Sequence, residues 1–180
     1  MLGREGEPRT AVVSNGAGPW SVELTSHLQR VSGYAALVAG RLGLDAELIR
    51  VAARLHDVGM VGVADGILFK PGPLTAEERR DMQDHTHVGR AMLGGSGSPL
   101  LDTAAEIAWS HHERFDGQGY PNGFAGEQIP LSARITAVAD AFDAMTTDRV
   151  YRRPAPGLDA ALETLRSERR RQFDPAVVEA

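Results

Sequence analysis

The 180-residue chain contains no cysteine, which excludes disulfides, thiolate metal sites and a cysteine nucleophile together. Aromatic residues make up only 6% of it. Lysine is almost missing: Lys70 is the sole example, and arginine supplies all the remaining Lys+Arg count. There is no excess of positive charge. With 24 acidic against 19 basic residues the formal net charge is −5. That balance argues against duplex nucleic acid or an anionic membrane as the main partner, since both demand a basic face. An anionic small ligand stays open, because bound divalent cations reverse the local field. No apolar run approaches the ~18 residues of a membrane span, and the N-terminus lacks a signal-peptide core. The expectation is a cytoplasmic protein. Glycine and proline, 20 and 10 residues, fall short of the roughly 25–30% that marks low-complexity chains.

What is present reads as one all-α domain. The length suits a single domain with a core of its own. Residues 1–19 show no period and end in Gly16-Ala17-Gly18-Pro19, a flexible tail or linker. From Trp20, apolar residues recur at three and four up to Leu42, with Gly43 where a helix would stop. Leu48, Ile49, Ala52 and Leu55 repeat the pattern. Thr75 opens a run with an acid three residues on, the mark of a capped helix start. Further helices are expected from about Leu100 into His111, from Leu131 to Met145 and from Leu158 to Arg170. Alternating β-branched runs are scarce, and Val58 to Phe69 is the one candidate for a short strand. The expected architecture is six or seven helices over residues 20–180.

The six histidines lie near helix ends or beside carboxylates. Glu23 and His27 are four apart, so on a helix they share a face and can reach one ion. In His56-Asp57 the two side chains splay apart, which suits a cluster of ions: the carboxylate bridges while the imidazole binds terminally. His111-His112 repeats that pattern. Imidazole and carboxylate without thiolate is a ligand set for Fe, Mn, Zn or Ni. A single histidine on such a helix is more often structural than ligating, and His87 is the expected bystander. The zincin pattern fails at His112-Glu113, because Asp116 stands where the second histidine belongs. The Arg169-Arg170-Arg171 run reads as a solvated helix end.

The run H-D-V-G-M-V-G-V-A-D-G-I-L-F-K-P-G from His56 to Gly72 resembles the core of the HD phosphohydrolases. H-H-E-R-F-D-G-Q-G-Y-P from His111 to Pro121 resembles the hallmark of their HD-GYP branch. The likeness continues through I-P-L-S-A-R-I-T-A-V-A-D-A-F-D-A-M-T-T-D-R-V-Y-R and Phe173-Asp174-Pro175, covering roughly residues 20–180. It implies an all-α domain with two or three transition-metal ions, commonly iron or manganese. It also implies hydrolysis of cyclic di-GMP to pGpG, often on to GMP, with a sensory, receiver or GGDEF-type partner domain. By this resemblance His27, His56, Asp57 and Asp140 match the minimal metal set. His85, His111 and His112 match the ligands that the branch adds, and Glu23 the carboxylate of trinuclear members. Asp57 and His56, with a metal-bound water, are the expected catalytic groups. Arg149 and Arg152 match two phosphate-holding positions and Gly119, Tyr120 and Pro121 the signature loop, and all five are the expected substrate-binding residues. Glu113 and Asp116 are read as orienting ligand histidines or that loop.

One departure stands out. The branch usually reads H-D-x-G-K, and Met60 occupies the lysine position, with neither charge nor donor for a phosphate. A slow phosphodiesterase is therefore expected. Two alternatives stand beside it: a cyclic dinucleotide-binding module of weak activity, and a phosphohydrolase of another cyclic dinucleotide.

Overall fold

The structure is a computed structural model in which residues 19–147 and 157–180 are described. The tail expected over 1–19, except its last residue, and the two arginines Arg149 and Arg152 lie outside them. Helix α1 (Pro19–Arg41) stops ahead of Gly43, which takes the left-handed φ of 76° that side chains resist. Asp45 then starts α2 (Ala46–Ala53) by accepting the backbone N–H groups of Glu47 and Leu48, both at 3.0 Å. After a 3-10 turn (Val58–Gly62) come α3 (Asp65–Leu68), α4 (Ala76–Gln83), α5 (His85–Leu93) and α6 (Pro99–Ser110). A second 3-10 turn (Gly126–Gln128) precedes α7 (Leu131–Thr146), α8 (Leu158–Ser167) and α9 (Pro175–Glu179). The all-α reading holds, and seven of these helices have eight residues or more. No helix among the described residues is long and apolar enough to cross a membrane.

The strand expected over Val58–Phe69 is not formed. That segment folds into the 3-10 turn and α3, stitched by local bonds such as Met60 N–H to the Asp57 carbonyl at 2.9 Å. A lone strand here would have no neighbour to pair with. Gly59 allows the turn to lie flush on α5: a Cβ there would come within 1.9 Å of the His85 carbonyl oxygen and 2.5 Å of the Gly89 nitrogen. The break between α4 and α5 at Asp84 carries no glycine or proline to announce it.

The main core joins α1, α2, α7 and the C-terminal segment. Val31, Ala35 and Ala39, spaced by four on α1, are fully buried against Ile49, Ala53, Ile135 and Ala139. Alanine at the contact lets the helix axes approach closely. A smaller cluster of Ala52, Ala104 and Ile107 ties α2 to α6. Between the two clusters α2 runs out into His56 and Asp57, so both packing surfaces fix where that pair lies.

Candidate metal centre

Five elements converge on one point. His27 comes from α1, His56 and Asp57 from the exit of α2, and His85 from the start of α5. His111 and His112 follow α6, and Asp140 lies on α7. They form two groups, Asp57 with His85, His111 and His112, and His27 with His56 and Asp140. Within each, one ligand atom per residue lies within 4.8 Å of all the others. Asp57 joins the groups. Its Oδ1 is 3.5 Å from Nε2 of His85 and 3.4 Å from Nε2 of His111, while Oδ2 is 3.3 Å from Nε2 of His56. Across the second group, Nε2 of His27 is 3.5 Å from Oδ1 of Asp140.

The ring orientations follow from the other nitrogens. Nδ1 of His56, His85 and His111 meets the carbonyls of Ala53, Met82 and Ile107 at 2.9, 2.7 and 3.0 Å. A carbonyl only accepts, so each Nδ1 carries the hydrogen and Nε2 is left to take a proton or a cation. All three Nε2 atoms are buried with no hydrogen-bond partner, and such orphaned atoms cost roughly 1–3 kcal/mol each. Cations on the two sides of Asp57, one within each group, would satisfy them. The donor set fits a divalent transition metal.

Charge in the metal-free cluster is arranged around Asp57. Burial disfavours an imidazolium at His56, but Asp57 and Asp140 outweigh it and hold its pKa at about 9. Burial likewise works against ionised Asp57, yet His111 and His56 keep it well below the usual carboxylate range. Burial and the neighbouring His111 push His112 down to about 2, and burial lowers His85. Two imidazoles are thus ready as neutral ligands.

The loop after His112 is shaped by close approach. Gly119 lies where a Cβ would be 2.3 Å from the Arg114 nitrogen and 2.6 Å from the His112 carbonyl oxygen. Only glycine fits. Tyr120 then stacks on the His112 ring, centroids 4.7 Å apart at 24°, and its hydroxyl is pushed up by burial and by Asp57 and Asp140. Pro121 follows, half-buried. Buried Glu113 accepts from the Asn122 and Gly123 backbone at 2.7 and 3.1 Å, and Asp116 pairs with Arg114 at 2.8 Å. Both carboxylates serve the loop. Backbone N–H groups of Phe115 and Asp116 donate to the Gln172 and Arg171 carbonyls at 3.1 and 2.8 Å, tying the loop to the C-terminal segment.

Some residues stand apart. Glu23, one turn ahead of His27, is half-buried and joins neither group. Met60 is half-buried in the 3-10 turn, three residues past Asp57. His87 is 56% exposed beside Asp84, outside the centre. Lys70 is engaged by Glu78 at 2.6 Å. Two residues escaped the sequence reading, Asp143 and Arg30. Asp143 lies one turn beyond Asp140 and Arg30 one turn beyond His27, and that i,i+3 spacing is the signal available for finding them.

The HD domain family model matches residues 19–177. The chain is 47% identical over 159 residues to the cyclic di-GMP phosphodiesterase response regulator RpfG of Xanthomonas campestris pv. campestris (strain 8004), covering 87% of this chain and 42% of that protein. It is 44% identical over 162 residues to a cyclic di-GMP phosphodiesterase of Thermotoga maritima, covering 88% and 44%. It is 42% identical over 170 residues to the 3′3′-cGAMP-specific phosphodiesterase 2 of Vibrio cholerae, covering 93% and 32%. Among solved structures, a cyclic GMP-AMP-specific phosphodiesterase of V. cholerae shares the fold with a TM-score of 0.60 at 22% identity, over 85% of this chain and 42% of that one. The chain belongs to the HD domain family, and its Gly119-Tyr120-Pro121 loop assigns it to the HD-GYP branch. It spans less than half the length of these curated relatives.

Proposed function

We propose that the chain is the catalytic domain of a metal-dependent phosphodiesterase that hydrolyses cyclic di-GMP to pGpG. The observation that carries this is Asp57, whose two oxygens face two separate histidine groups. A carboxylate so placed suits a pair of ions, and phosphodiester hydrolysis is among the reactions that such pairs serve. Two ions, iron or manganese, would supply a Lewis-acid clamp on the phosphate and an activated water. His27, His56 and Asp140 would hold one, and His85, His111 and His112 the other, with Asp57 between them. Glu23 is proposed for a third. Asp57 and His56 set the charge at the reacting centre, and Arg149 and Arg152 are proposed to grip the ligand phosphates, for which guanidinium forks are suited. Gly119 and Tyr120 lie against His112, and the Gly119-Tyr120-Pro121 loop is proposed to contribute to substrate binding. A sensory, receiver or GGDEF-type domain is the proposed source of regulation.

A second reading has its own support, since relatives at 42% and 41% identity are named 3′3′-cGAMP-specific phosphodiesterases. Product analysis with each dinucleotide, on protein loaded with Mn2+ or Fe2+, separates the two. Conversion of cyclic di-GMP to pGpG is expected, abolished together with metal uptake by Asp57→Ala. Turnover of 3′3′-cGAMP alone establishes the second reading. Tight binding of cyclic di-GMP without turnover in the loaded protein makes the chain a binding module.

A further inference from the structure

The histidines of the centre are supported by two kinds of acceptor. His56, His85 and His111 lean on main-chain carbonyls. Nδ1 of His27 instead lies 2.7 Å from Oδ2 of Asp143, a carboxylate with no solvent exposure between α1 and α7. Arg30, one turn past His27, grips the same carboxylate with Nε at 2.5 Å and Nη2 at 3.1 Å. The Thr147 hydroxyl adds a donor at 3.3 Å. A carboxylate in a guanidinium fork is ionised and only accepts, so Nδ1 of His27 carries the hydrogen and Nε2 faces Asp140 as the free donor atom. A carboxylate behind an imidazole also strengthens it as a ligand. One face of α7 therefore supplies both a member of the second group, Asp140, and the support for another.

We infer that Asp143, fixed by Arg30, is a positioning residue that sets the tautomer and donor strength of His27. The group of His27, His56 and Asp140 then depends on it for metal affinity, and the group of Asp57, His85, His111 and His112 does not. This rests on the metal reading given above. None of the other buried supports acts this way, because a main-chain carbonyl brings no net charge.

Mn2+ titration of the full chain, wild type against Asp143→Asn and Asp143→Leu, tests it. The asparagine keeps an acceptor and removes the charge; the leucine removes both. In each variant one Mn2+ equivalent is expected at wild-type affinity and the other weakened roughly 10–100-fold, most in the leucine variant. Equal loss at both sites, or none, overturns the inference. Nitrogen-15 histidine spectra of the metal-free wild type provide a second readout that needs no variant. They should show His27 hydrogenated at Nδ1, and a bare Nδ1 overturns the inference even if both variants fail to fold. A wild type that takes up no Mn2+ defeats the metal reading instead, and leaves the tautomer to be judged on its own.

Discussion

Met60 occupies a turn position three residues from Asp57, half-buried and without a polar atom to offer a phosphate. The HD-GYP pattern that the chain resembles has lysine there. A preorganised donor at a developing anionic centre is worth ~10²–10³ in rate, while metal ions carry a share of their own. Met60→Lys is accordingly expected to raise kcat toward pGpG by up to roughly 10²-fold with metal content unchanged. Steady-state rates on fully loaded protein check this, and an unchanged rate removes Met60 from the phosphate's surroundings. Lys70 offers no substitute, held as it is by Glu78 at 2.6 and 2.8 Å. At this scale the sequence was readable wherever chemistry sits in adjacent residues, as in His56-Asp57 and His111-His112. Asp143 was not, because only its i,i+3 spacing from Asp140 marks it, and the ring it supports lies on a helix far away in the chain.

Among the elements, the 3-10 turn on α5 is the most tightly constrained. Gly59→Ala would drive a methyl group into the His85 carbonyl oxygen, and relief requires turn and helix to part. A destabilisation of ~1–3 kcal/mol is expected, as for other overpacked sites. Because Asp57 and His85 sit on the two sides of that contact, metal affinity should fall with it. Denaturant unfolding of the metal-free protein and Mn2+ titration measure the two effects separately. The helices with strong local signals were legible: Gly43 after α1, and the Thr75–Glu78 capping box of α4. The segment from Val58 to Phe69 was the one candidate for a strand, but Gly59 and Gly62 pack against α5 instead, and that tertiary contact decides the local structure. The α4–α5 break has no residue-level cause in the sequence alone.

For the whole molecule, the α1–α7 seam links stability to pH. Burial would raise the Asp143 carboxyl, but His27 and Arg30 hold it at about 2 against an ordinary 3.8. A depressed carboxyl contributes fully above its unfolded value and loses that contribution as pH falls through its folded one. The seam is therefore worth ~2 kcal/mol above pH ~4, declining from there toward pH ~2. Unfolding free energies at pH 6 and pH 3 should drop more in the wild type than in Asp143→Asn. An equal drop in both means that the seam does not titrate in this range.

The two ligand groups also differ in how much chain they enclose. Asp57, His85, His111 and His112 are all present once residue 112 has been made, whereas His27 waits for Asp140. Closing a longer loop costs more entropy, and pairings distant in sequence form late. The group of Asp57, His85, His111 and His112 therefore closes over the shorter stretch of chain, and its residues can meet before α1 and α7 do. The centre would then be built from one side, with His27 and Asp140 the last of its residues to arrive.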